Sequence, residues 1–89
     1  MCPNSFVYSV DDIKKMNSIQ LGQAIWEYGN DPVISEMIED YGSIESAAEA
    51  AVDFLMMPDD EIYDTVGYII QMGRTVMVNA VVDYLEVHS

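Results

Sequence analysis

The 89-residue chain carries 16 acids against three bases, Lys14, Lys15 and Arg74, for a formal net charge of −13. That length supports one domain with a single core. The charge argues against direct contact with nucleic acid or an anionic membrane, which want Lys and Arg at the surface.

Residues 1–8 read as an irregular or extended lead-in. Ser9 then serves as an N-cap, with Asp11 and Asp12 in the turn where the helix dipole favours anions. Asn17 and Ser18 offer a second cap. Ile19, Leu21, Ala24, Ile25 and Tyr28 recur at helical spacing until Gly29 and Asn30 stop the pattern. One bent helix or two short ones fit this stretch.

Asp31 followed by Pro32 marks a restart, a capping carboxylate ahead of a proline at the first helical position. Val33, Ile34, Met37, Ile38 and Tyr41 give the inward face, Glu36, Glu39 and Asp40 the outward one, and Gly42 ends the helix. Ser43 caps the next, lined by Ile44, Ala48, Ala51, Val52 and Leu55. On another side Glu45, Glu49 and Asp53 stand one turn apart in a row.

Pro58 breaks that helix and opens the last one, with Asp59, Asp60 and Glu61 in its first turn and Asp64 close behind. Its apolar pattern runs through Ile62, Val66, Ile69, Ile70, Gly73, Met77, Ala80, Val81 and Tyr84. Residues 76–82 are apolar nearly all round. Such a helix is central to its domain or buried on two sides, one of them by another copy. Strand competes locally, because the segment is rich in β-branched residues. The expected fold class is all-α, a small four- to five-helix bundle in residues 1–89 with a long C-terminal helix.

The most informative stretch for function is Met16 to Gly73, 58 residues without a Lys, Arg or His that hold 12 carboxylates. Apolar residues alternate with these acids at helical spacing, so a folded acidic surface is expected in place of a disordered tail. A generic soluble surface mixes both signs; here Glu45, Glu49 and Asp53 form a like-charge ladder. Carboxylates one helical turn apart are spaced by about 5–6 Å, and DNA carries a phosphate about every 3.4 Å of axis per strand. Rows of acids on several helices can thus approach the charge density of a nucleic-acid backbone. The expected partner-binding surface is Glu36, Glu39, Asp40, Glu45, Glu49, Asp53, Asp59, Asp60, Glu61 and Asp64, and the expected partner is a nucleic-acid-binding protein or complex with a basic groove. Met56, Met57 and Tyr63 beside the densest acids suit such a surface.

Enzymatic chemistry finds little support. The single His88 and single Cys2 sit at opposite ends of the chain, and a Cys–His pair requires a third, orienting group. Asp59, Asp60, Glu61 and Asp64 lack the alternating ligands, central Gly and terminal Glu of a calcium loop, and no Gly-rich phosphate loop is present. No enzyme activity, metal or cofactor is expected. One cysteine forms no internal disulfide, no apolar run approaches the roughly 20 residues of a membrane span, and no secretory leader pattern opens the chain. A cytoplasmic setting without membrane contact follows as the expectation.

Composition and size resemble the phage- and mobile-element-encoded DNA mimics that inhibit host defence, the antirestriction and anti-CRISPR proteins. The run Gly-Ser-Ile-Glu-Ser-Ala-Ala-Glu-Ala-Ala-Val between Tyr41 and Asp53, followed by Tyr63 to Tyr68, resembles a segment of ArdA-type antirestriction proteins. In those a Gly opens an acidic, Ala-rich helix and a Tyr-acid stretch follows. The likeness covers under a third of the chain and implies occupation of the DNA-binding groove of a restriction or CRISPR effector complex. A second resemblance is to acyl carrier proteins, through Met57 to Glu61 and the Thr-Val-Gly-Tyr-Ile-Ile run from Thr65 to Ile70. Ser43 would there carry the prosthetic group, although the Asp-Ser-Leu of that family is missing. The third alternative is a plain helical interaction module that forms a homodimer through Val78 and Val82 of the C-terminal helix.

Overall fold

A computed structural model describes residues 8–29, 34–57 and 64–88. Among them every element is an α-helix. Local signals set the helix boundaries. Helix α1 (Val10–Lys14) starts at a complete capping box: the Asp12 amide donates to Ser9 Oγ and the Ser9 amide to Asp12 Oδ2. Helix α2 (Ser18–Gly29) opens on a second reciprocal pair, in which the Gln20 amide donates to Asn17 Oδ1 at 2.9 Å and the Asn17 amide to Gln20 Oε1 at 3.0 Å. The two caps resolve residues 9–29 into two helices.

The hydrogen bond from the Ser9 amide holds the Asp12 carboxyl below its ordinary pKa, and the Ser9 hydroxyl and the charge of Lys15 add to this. A carboxylate depressed on folding contributes stability that is present above its unfolded value and lost as pH falls through its folded one. The start of α1 is therefore expected to loosen only below about pH 3.9. Amide exchange at Ser9 and Asp12 measures this; loosening that begins well above that range would contradict it.

Helix α3 (Ile34–Tyr41) lies on α4 (Ile44–Leu55), and Gly42 between them has a left-handed φ of 88°. The Asp31–Pro32 restart and Val33 lie outside the described residues. Ile34, Met37 and Ile38 pack partly against the core as expected, whereas Tyr41 is 43% exposed. An eight-residue helix packed chiefly against one neighbour has no fully buried position. Ser43 caps α4, its hydroxyl accepting from the Ser46 amide at 3.1 Å and donating to Ser46 Oγ at 3.0 Å.

The last helix differs from the single long one read from the apolar pattern. Helix α5 (Asp64–Ile70) ends in a tightened turn, with the Met72 and Gly73 amides bonded three residues back, and Gly73 adopts φ 99°. That conformation closes one helix, and α6 (Arg74–His88) begins directly after it. With α1 and α2 separate as well, six helices are described, the last being the longest. Pro58 and Ile62 lie outside the described residues.

Helix α6 packs against α2 and α4, which also meet each other, while α1 lies on α5. The near-uniform apolarity of residues 76–82 therefore belongs to a central helix and not to a strand. Met77, Ala80, Val81, Tyr84 and Leu85 fill its buried side, facing a core that includes Trp26, Ile25, Val52, Leu55 and Ile69. Gly22 permits a close approach of α2 to α6: a Cβ built there would stand 2.0 Å from the Ala80 carbonyl oxygen. Ile19, placed on the inward face by its spacing, is 37% exposed because it sits at the start of α2, beyond this contact.

Candidate interaction surface

The expected acidic surface divides into three parts. On α3, Glu36, Glu39 and Asp40 are exposed, opposite the Ile34, Met37 and Ile38 face that packs on the core. On α4, Glu45, Glu49 and Asp53 are likewise exposed, on a flank distinct from the buried Ala47, Ala48, Ala51, Val52 and Leu55. Asp59, Asp60 and Glu61 lie outside the described residues, and Asp64 is described only as the first residue of α5.

The two flanks of α4 have different neighbours. Phe54, on one, meets the Tyr28 ring of α2 edge-on at 5.6 Å between centroids. The acidic row runs along the other and borders α6, where Glu49 shares a shallow cleft with Arg74, Thr75, Val78 and Asn79. There the guanidinium of Arg74 donates to Asp53 Oδ1 and forms an ion pair with it. The hydrogen bond to Asp53 holds the Arg74 pKa above its ordinary value, and the charges of Asp53 and Glu49 add to that.

A stretch free of bases in sequence is thus not free of bases in space. Arg74 falls one residue beyond it, and helix packing folds Arg74 back onto the last acid of the α4 row. Glu36, Glu39, Asp40 and Glu45 have no ion pair or side-chain hydrogen bond among the described residues. Lys14 lies over the Tyr68 ring with its Nζ 5.7 Å from the centroid.

Because the Arg74–Asp53 pair is exposed on both sides, it contributes little to stability. Arg74→Gln is expected to leave the melting temperature almost unchanged while speeding association with a cationic partner. It adds one net negative charge and frees Asp53. Stopped-flow association at low ionic strength reads this out, and an unchanged or slower rate would show that the α4–α6 flank takes no part in the encounter.

The remaining sequence candidates are placed as follows. Met56 and Met57 at the end of α4 are 39% and 68% exposed, as a contact surface requires, while Tyr63 lies outside the described residues. The His88 ring sits 4.6 Å from that of Tyr84, whose phenol is pushed above its ordinary pKa by burial and, secondarily, by the charge of Glu27. Cys2 lies outside the described residues. Among the described residues no group of three or more His, Cys, Asp or Glu is arranged to hold a metal ion, and no helix is long and apolar enough to cross a membrane. Ser43, the attachment point in the carrier reading, has its hydroxyl engaged in the α4 cap. Val78 and Val82, the proposed dimer contacts, are half-buried against the chain's own core.

Two residues of consequence were not singled out from the pattern: Arg74 and Gly22. An isolated Gly inside a helical apolar pattern does signal close packing, and Gly22 beside Leu21 and Ile25 fits that description. No comparable signal marks Arg74. No family model matches this chain, and comparison with curated proteins and with solved structures finds no significant similarity.

Proposed function

We propose that this protein is a non-enzymatic, acidic decoy that occupies the nucleic-acid-binding groove of a host-defence complex of the restriction or CRISPR effector type. The observation that carries the reading is the set of exposed carboxylates on α3 and α4, most of them without a cationic partner among the described residues. Self-repulsion of this kind costs stability, and a basic groove would offset that cost on binding. The helices also supply a rigid display, since each acidic face lies opposite or beside a face packed on the core. The choice of host defence rests on the resemblance of Tyr41–Asp53 to ArdA-type proteins and on the small acidic character of the chain.

The test is affinity capture with the full chain from a nuclease-treated bacterial lysate, with mass spectrometry of the bound proteins after washes at low and high salt. Expected is a DNA- or RNA-binding complex that is released by salt and displaced by added DNA, and whose nucleic-acid binding the protein blocks when purified. Partners that survive high salt and ignore DNA would overturn the decoy reading in favour of an apolar contact.

A further inference from the structure

We propose that the recess between the start of α2 and the end of α6 receives a long cationic side chain, lysine or arginine, from a basic partner protein. This deepens the decoy reading, on whose basic partner it rests, and adds a contact outside the acidic rows of α3 and α4.

The recess is open, has a volume of about 400 Å³, and is lined by Asn17, Ser18, Ile19, Asp83, Glu86 and Val87. Two of the large apolar side chains that the fold leaves in solvent converge on it, Ile19 at 37% exposure and Val87 at 59%. Asp83, Glu86 and Val87 lie three and four residues apart on α6, hence on one face of the helix. The Ser18 hydroxyl donates to Asp83 Oδ2 at 2.7 Å and so fixes the orientation of that carboxylate.

An apolar wall beside two carboxylates selects an occupant with the complementary division. A neutral apolar side chain would desolvate Asp83 without offsetting its charge. A small inorganic cation would leave Ile19 and Val87 in water. Lysine and arginine carry an apolar stem that covers such residues and a charged head that meets the carboxylates. With a net charge of −13 on the chain, attraction of a cationic side chain is also favoured at long range.

The experiment titrates an oligo-arginine peptide into isotopically labelled full-length protein at low salt and follows the backbone amides by NMR. Shifts are expected at residues 17–19 and 83–87. Val87→Ser and Ile19→Ser, both at exposed positions, are each expected to weaken this binding about threefold to tenfold through lost contact with the side-chain stem. Asp83→Asn should flatten its salt dependence. Undirected surface charge would not respond to the two apolar substitutions, so shifts in the recess without that response would overturn the inference. Shifts confined to α3 and α4 would overturn it while leaving the decoy reading intact. No binding anywhere on the chain would overturn both.

Discussion

Reversal of Glu39, Asp40 and Glu49 to Lys is expected to lower affinity for the basic partner about a hundredfold while the fold persists. Three lost attractions of about 1 kcal/mol each, before counting new repulsion, reach that factor. The choice of positions follows from the helices. Glu36 and Glu45 lie in the first turns of α3 and α4, where a Lys would oppose the helix dipole. Glu39 and Asp40 instead occupy the last turn of α3, where a cation is favoured, and Glu49 stands mid-helix. Asp53 is left in place because it holds Arg74. The triple variant relieves part of the self-repulsion, so its melting temperature is expected to equal or exceed that of the parent. Competition binding against labelled DNA on the captured partner, beside thermal melts, separates the two effects. An undiminished affinity in a folded variant would remove the acidic helices from the contact.

The largest effect on stability is expected from Gly22→Ala. In an ordinary helix interior this change would stabilise by about 1 kcal/mol. Here the added Cβ would meet the Ala80 carbonyl oxygen at 2.0 Å, its carbon at 2.5 Å and the Tyr84 Cβ at 2.9 Å. Most of these contacts are with backbone, so α2 and α6 must separate along the interface that organises the core. Overpacking costs typically about 1–3 kcal/mol and more when a backbone must move. A net loss of about 3 kcal/mol corresponds to roughly 12–24 °C in melting temperature for a domain of this size. Ala80→Gly is expected not to rescue it, since the obstructing atoms remain. Gly29→Ala offers the contrast, because its Cβ would meet the Phe54 ring at 2.4 Å. Phe54→Ala is expected to relieve that clash. Thermal melts of the two double variants decide the matter, and rescue of Gly22→Ala by Ala80→Gly would contradict the geometry.

Much of the architecture was legible in sequence because its signals are local. Ser9, Asn17 and Ser43 each bond an amide three residues ahead, and Gly42 closes α3 through a backbone conformation that Gly tolerates best. The inward face of α4 followed from spacing alone. Gly73 was misread because position 73 also fits the inward periodicity, and periodicity says nothing about the sign of φ. The acids of α3 and α4 were legible as exposed, since they interleave with apolar residues at helical spacing.

What the sequence determined by itself was an all-helical chain with a large unbalanced negative charge, because composition and interactions within about four residues suffice for both. Tertiary structure decided that α6 lies at the centre, that α2 touches it at Gly22, and that Ile19 and Val87 share a recess with Asp83 and Glu86. It also decided that Arg74 neutralises Asp53, 21 residues away. The sign and reach of such contacts depend on which helix flanks face each other, and that is set by the packing of the whole core.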